Sequence, residues 1–291
     1  MTDTQEYEKI GYLNEDVRFF YLKDTKMRSF PSHYHDFDKL LIFLSGTGRY
    51  HVEGKTYSLT PFDIVCIPHG YIHCPEVDFS QPYERYILYL SPAFYAAFGG
   101  LDASVLSCLF DHSRETGDYV YHTELQARYP LEQLLSELTA QSTGNGEARR
   151  SAGDLYVRTL VIQLLIRLAR LKETHQLTSD QTAVYDARIL ELLRYIQDNY
   201  RQDLSVGHLS ERFYLSRYHL MRQFKEATGC TLHSYINNKR LSAAKDAIQS
   251  GIPATTAALQ CGFHDYSTFS RAYKKAFGCS PAMSPRGSLL H

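Results

Sequence analysis

From Phe19 to Leu90 the chain places short apolar runs between turn signals. Lys39–Leu44, Arg49–Glu53, Tyr57–Leu59, Ile64–Ile67 and Arg85–Leu90 are rich in β-branched and aromatic residues, and Gly46–Gly48, Gly54–Lys55, Pro61–Asp63 and Pro68–Gly70 separate them. Strands at this spacing predict a sandwich or barrel. From Pro92 onward the period becomes helical. Residues 93–111, 124–140 and 154–173 read as three helices, with Gly144, Asn145, Gly146 and Ser151–Gly153 bounding a loop between the last two. The third, Leu155–Leu171, is apolar on more than one face and must be covered on most sides. Either it packs under the β-rich part or it meets the same helix of a second copy. Residues 174–185, with Thr178–Thr182, read as a linker.

Beyond the linker the chain matches itself at an offset of 49 residues: Arg222 and Arg271, Lys225 and Lys274, Ala227 and Ala276, Gly229 and Gly278, and Cys230 and Cys279 coincide. One structural unit occurs twice. In the first copy Val206–Arg212 forms a short helix, Phe213–Leu215 a turn, and Ser216 caps a second helix that buries Leu220 and Phe224. The opposite face then shows Arg217, Tyr218, Met221, Arg222 and Lys225. In the second copy Ala254–Gln260, a turn at Cys261–His264 and a cap at Asp265 lead to a helix burying Phe269, Tyr273 and Phe277. Its outer face shows Tyr266, Ser267, Ser270, Arg271 and Lys274.

Two helices joined by a tight turn, the second with a cationic outer face, fit a helix-turn-helix whose second helix enters the DNA major groove. Arginine can pair bidentately with guanine, and serine or tyrosine can reach bases or phosphates. Two solvated basic hairpins are the plainer account of a single copy; the duplication favours DNA. Ser234–Ile248, with Ile236, Leu241, Ala244 and Ile248 at helical spacing, supplies a rigid connector. At a spacing of about 34 Å, one chain reads two successive major-groove segments.

Charge strengthens this picture. The net charge of −1 hides 17 basic against 24 acidic residues over 1–185, a balance of −7, and 14 against 8 over 186–291, a balance of +6. Locally gathered Lys and Arg are what phosphate neutralisation requires. The 291 residues, 44% of them hydrophobic and 22% charged, predict two globular domains. No apolar run reaches the roughly 18 to 20 residues of a membrane helix. Asp3, Glu6, Glu8, Glu15 and Asp16 replace a basic, apolar leader, so a cytoplasmic location without membrane partners is expected. Cysteines 66, 74, 108, 230, 261 and 279 form no C-x-x-C pair and read as reduced thiols.

Residues 186–286 resemble the AraC/XylS transcription regulators. The likeness rests on Tyr214–Ser216, Leu220, Phe224–Lys225, Gly229, Tyr235, Arg240–Leu241, Ala244, Gly262–Phe263, Phe269–Arg271, Lys274, Gly278–Pro281 and Pro285–Arg286. It implies contacts from Tyr218, Met221, Arg222, Tyr266, Ser267, Ser270 and Arg271 to bases and phosphates. Ala254, Ala257, Tyr273 and Ser284 depart from the family pattern.

His33, His35, Lys39 and Gly46, then Pro68–Gly70 and His73, resemble the two signature segments of the cupin barrel. Cupin enzymes bind a metal through three histidines and a glutamate. Lys39 stands at the glutamate position, so that set is broken, and no metal, cofactor or catalytic residue is assigned. His33, His35 and His73 remain a three-histidine alternative. The preferred expectation is a small-molecule pocket with His33, His35, Lys39 and His73 as polar contacts and Tyr50, Tyr71 or Phe43 as walls, taking an effector such as a carbohydrate. Structural hydrogen bonding at the barrel mouth is the plainer role for these histidines.

The expected fold class is therefore α+β and multidomain: a cupin-like β-barrel over 1–92, a helical segment over 93–173 suited to dimerisation, a linker over 174–185, and an all-α domain over 186–291. The last carries helix-turn-helix motifs at about 206–228 and 254–277. The expected function is a sequence-specific transcription regulator, an activator by family habit. Its expected partners are promoter or operator double-stranded DNA, an effector, a second copy and RNA polymerase. The alternative is a metal-dependent cupin enzyme with an accessory DNA module.

Overall fold

The computed structural model describes residues 13, 15–26, 30–142 and 152–283. The turn residues Gly144, Asn145, Gly146 and Ser151, and the closing Ser284, Pro285 and Arg286, lie outside them. The N-terminal half opens with β1 (Val17–Asp24), β2 (Asp38–Ser45), β3 (Thr47–Val52), β4 (Lys55–Ser58), β5 (Ile64–Ile67), β6 (His73–Asp78) and β7 (Tyr83–Leu90). After them come α1 (Pro92–Ala96), α2 (Gly100–Thr116), β8 (Val120–Thr123), α3 (Leu125–Ser142), α4 (Ala152–Glu173), β9 (Leu177–Ser179) and β10 (Val184–Tyr185).

These strands form a six-stranded sheet in the order β1-β7-β2-β5-β8-β9 and a four-stranded sheet in the order β10-β4-β3-β6. The pairing among the described residues gives two sheets and not the closed barrel expected. β2 shows why its sequence is a continuous apolar run. Leu41 and Phe43 point to a core shared with Tyr50, Val52 and Tyr57 of the other sheet. Leu40 and Ile42 point the opposite way, onto α3 and α4. A strand covered on both faces has no polar side to show.

Leu160, Val161, Leu164, Leu165 and Leu168 of α4 lie in this second core, under the sheet. Most of the apolar breadth of α4 is thus covered within one chain, with Leu155 and Ile166 left on its outward edge, and the helical segment shares its core with the strands. The segment read as a linker carries strands as well. β9 pairs with β8, Tyr121 opposite Ser179, and β10 pairs with β4, Val184 opposite Thr56.

The C-terminal half is helical: α5 (Ala187–Asn199), α6 (Val206–Arg212), α7 (Arg217–Thr228), α8 (Leu232–Gln249), α9 (Ala254–Gln260) and α10 (Tyr266–Phe277). It holds two small cores. Leu209, Leu220 and Phe224 pack with α5 in the first, and Ala257, Ala258, Phe269, Tyr273 and Phe277 in the second. The connector α8 belongs to both, giving Leu232, Tyr235 and Ile236 to one and Leu241, Ala244 and Ile248 to the other. Among the described residues, no helix is long and apolar enough to cross a membrane.

Candidate functional site

The two helical pairs are built by their caps. Ser216 Oγ accepts from His219 N at 3.2 Å, and Asp265 Oδ2 accepts from Thr268 N at 2.6 Å, each supplying a partner to a backbone donor that the helix start leaves open. Gly229 and Gly278 end α7 and α10 in the left-handed region, at φ 73° and 74°. Caps and terminal glycines at the same spacing give both helices 12 residues, so the outer faces match. Arg217, Tyr218, Met221, Arg222 and Lys225 of α7 are exposed, as are Tyr266, Ser267, Arg271 and Lys274 of α10, with Ser270 half-buried. Glu226 lies 3.9 Å from Arg222 across one turn, an exposed i,i+4 pair.

The turns differ. The first copy places Tyr214 at φ 53°, a left-handed conformation that costs a non-glycine residue free energy, and leaves its side chain 95% exposed. The second copy uses Gly262 at φ 86°. There a Cβ would meet Arg201 O at 2.8 Å and Tyr200 O at 3.0 Å.

In the N-terminal half, His33, His35 and His73 come together. A pair of backbone hydrogen bonds, His33 N to His73 O at 3.1 Å and His73 N to His33 O at 3.0 Å, sets them opposite each other. The ring centroids of His73 lie 4.3 Å from His33 and 4.8 Å from His35. Each Nδ1 sits beside a backbone carbonyl two residues away: Pro31 O at 2.9 Å, Phe37 O at 2.7 Å and Tyr71 O at 3.1 Å. Nδ1 therefore carries the proton and Nε2 the lone pair. Burial, with the nearby Lys39 ammonium second for His35 and His33 second for His73, drives the His35 and His73 imidazoles well below the usual range, so both are neutral. Tyr50 stacks on His73 at 6.2 Å, and the Lys39 ammonium sits 5.9 Å from the Tyr89 ring.

Tyr71 lines a different cavity, of about 300 Å³ between the two halves, together with Lys55, Arg114, Arg194 and Gln197. At its edge Glu53, at φ 47° in the β3–β4 turn, reaches across to the helices. Its carboxylate accepts from Lys239 Nζ at 3.1 Å, Gln197 Nε2 at 3.3 Å, Ile72 N at 2.9 Å and the Tyr235 hydroxyl. A second bridge joins Asp36 to Lys245 of α8.

The family described as AraC-like ligand binding domain matches residues 19–165, just over half the chain. The chain belongs to the AraC family. A helix-turn-helix domain family matches residues 209–283, so the AraC-family chain carries a DNA-binding module after its ligand-binding domain. The HTH-type transcriptional activator RhaS of Escherichia fergusonii is 29% identical over 259 residues, 87% of this chain and 86% of that one. RhaS of Citrobacter koseri is 27% identical over 258 residues, with 87% and 86% covered. ToxT of Vibrio cholerae is 12% identical, covering 92% of this chain and 97% of that one, with a TM-score of 0.35.

For this AraC-family regulator, sequence reasoning found both helix faces and the histidine cluster. It missed Glu53, Gln197, Lys239 and the Asp36–Lys245 bridge. An acidic residue before glycine in a hairpin ordinarily marks a solvated turn, and nothing local signals that a second domain covers it.

Proposed function

We propose that the protein is an effector-responsive transcription activator that acts as a dimer, contacts RNA polymerase, works in the cytoplasm and performs no catalysis. The carrying observation is the pair of exposed cationic faces on α7 and α10, presented by equal helix lengths on one shared connector. Tyr218, Met221, Arg222, Tyr266, Ser267, Ser270 and Arg271 read bases. Arg217, Lys225 and Lys274 hold phosphate. Activation is supported by the similar proteins, which are named transcriptional activators.

The proposed effector is a small polyhydroxy or acidic molecule of the carbohydrate kind, held by His33, His35, Lys39, Tyr50 and His73. Imidazole and ammonium groups pair with hydroxyl and carboxylate oxygens, and the rings of Tyr50 and Phe37 face its C–H surfaces. The second copy joins through the outward edge of α4, where Leu155 is 66% and Ile166 39% exposed.

The test is a titration of the full chain against DNA from upstream of its own gene, with scrambled DNA as control and at two salt concentrations. A preference of about a thousandfold or more supports a specific regulator. Equal binding to both, falling steeply with salt, rejects it.

A further inference from the structure

We propose that the cavity between the β3–β4 hairpin, the end of α2 and α5 binds one neutral, hydroxyl-rich molecule of monosaccharide size, at a site separate from the histidine cluster. The site stands on its own geometry; its effect on DNA binding rests on the regulator reading.

The cavity, of about 300 Å³, lies at the lower end of the size range of small-ligand sites. None of His33, His35, Lys39 or His73 lines it. The ligand-binding half gives it Lys55, Tyr71 and Tyr119, and α5 gives it Leu193, Arg194 and Asp198. Gly117 ends α2 at φ 73°. A Cβ there would stand 3.5 Å from Lys55 Nζ and 3.8 Å from the Tyr119 hydroxyl, so these two polar atoms converge beside bare backbone.

The polar groups around the cavity are left open in both senses. The hydroxyls of Tyr71 and Tyr119 meet no hydrogen-bond partner among the described residues, although Tyr119 is buried. Lys55 Nζ donates to Gly117 O at 2.7 Å and has further N–H groups to offer. Arg194, Glu115 and Asp198 also line the cavity, and none of them has an opposite charge within ion-pairing distance among the described residues. The other two charges are already engaged. Arg114 pairs with Asp38 and Asp111, each at 2.8 Å, and Glu53 accepts from its four donors. Lys55, Arg114 and Arg194 thus balance Glu53, Glu115 and Asp198. An anionic ligand meets Glu115 and Asp198, and a cationic one meets Lys55 and Arg194. A neutral hydroxyl donates as well as accepts and suits all four. The Tyr71 and Tyr119 rings stand edge to face with centroids 5.9 Å apart, an apolar surface for the C–H side of such a molecule.

The coupling follows from where the walls come from. A molecule held by both halves binds their docked arrangement alone, and it favours that arrangement by as much as it prefers it. Docking is already close at this seam: a Cβ on Gly54 would meet Leu193 Cδ1 at 2.9 Å. Leu193 and Ile189 of α5 share a core with Leu209, Leu220 and Phe224 of the first helix-turn-helix unit. A ligand that fixes α5 therefore fixes the unit that presents Arg222.

The experiment titrates the full chain carrying His73→Gln, which disables the histidine pocket, with neutral aldohexoses and aldopentoses in a calorimeter. Glucuronate and glucosamine are the anionic and cationic counterparts. The expected result is one neutral sugar per chain. Adding Arg194→Gln or Tyr119→Phe should weaken binding about tenfold or more, and Arg188→Gln, exposed on α5 outside the cavity, should leave it unchanged. The wild-type chain gives a readout independent of whether the variants fold: amide exchange over 190–198 should slow with the sugar. No neutral sugar bound, tighter binding of glucuronate or glucosamine, or no slowing over 190–198 overturns the site. A sugar bound by the wild type and lost with His73→Gln belongs to the histidine pocket and overturns it as well. With the site filled, affinity for specific DNA should change by about fivefold or more. Constant DNA affinity with the sugar bound overturns the coupling, and a chain without specific DNA binding removes the regulator reading and the coupling with it; the sugar site stands in both cases.

Discussion

Lys239 Nζ lies 3.1 Å from Glu53 Oε1 across 186 residues of sequence, and both side chains are nearly sealed from solvent. This pair, with Tyr235 and Gln197 on the same carboxylate, joins the ligand-binding half to the connector between the two DNA-binding units. Lys239→Met is expected to lose about 3 kcal/mol, the lower end for breaking a buried pair, because Tyr235 and Ile72 N still serve the carboxylate. Glu53→Gln added to it should recover part of that loss, since the amide carries no charge. Urea unfolding measures both, and equal losses in single and double variants would refute the charge as the cause.

Arg222→Ala and Arg271→Ala are each expected to weaken specific DNA binding by about 1 to 3 kcal/mol and to relax preference at one base pair. The check is a titration on sites mutated position by position. A uniform loss on all sequences would reduce these arginines to phosphate contacts.

Gly262→Ala should destabilise the second helical unit by about 1 to 3 kcal/mol, through the left-handed φ of 86° and the clash with Arg201 O. Tyr214→Gly at the matching turn should be neutral or stabilising, because it relieves the same conformation and exposes nothing buried. Thermal melting of the two variants distinguishes a conformational cause from a packing one.

His69 links the halves through pH. Burial lowers its basicity, but the Asp246 carboxylate 3.8 Å from its Nε2 and the Asp38 carboxylate 3.2 Å from its Nδ1 outweigh that and raise its pKa to about 9; Arg114 shares the Asp38 oxygen at 2.8 Å. A folded value above the unfolded one of about 6.5 means that the stabilisation is complete below about pH 6.5 and is lost as pH rises through about 9. Melting temperature should fall across that window, and less so in Asp246→Asn. An equal fall in both would remove the Asp246 contact from the account.

Leu164→Glu or Leu168→Glu is expected to unfold the N-terminal half, since both positions are buried under the sheet and an unpaired charge there has no partner. Ile166→Glu, on the outward edge, should leave circular dichroism unchanged and shift sedimentation from dimer to monomer. A dimer that survives Ile166→Glu moves the interface elsewhere.

The sequence by itself determined the parts whose cause is local. The 49-residue repeat carries its own caps at Ser216 and Asp265 and its own stops at Gly229 and Gly278, so helix limits and outer faces are written within a dozen residues of each other. The His33, His35 and His73 cluster was legible through its resemblance to a known pair of segments, although their convergence depends on a bridge across 40 residues. Tertiary structure alone decided the rest. The breadth of the α4 apolar face is compatible with a sheet or with a second copy, and only the position of Leu40 and Ile42 chooses the sheet. The strands β9 and β10 lie in a polar segment because two- and three-residue strands draw stability from their partners and not from their own propensity. Glu53 is a surface turn residue in any local reading; it is a buried anchor because α5 and α8 close over it, and burial is a property of what lands on a residue and not of the residue.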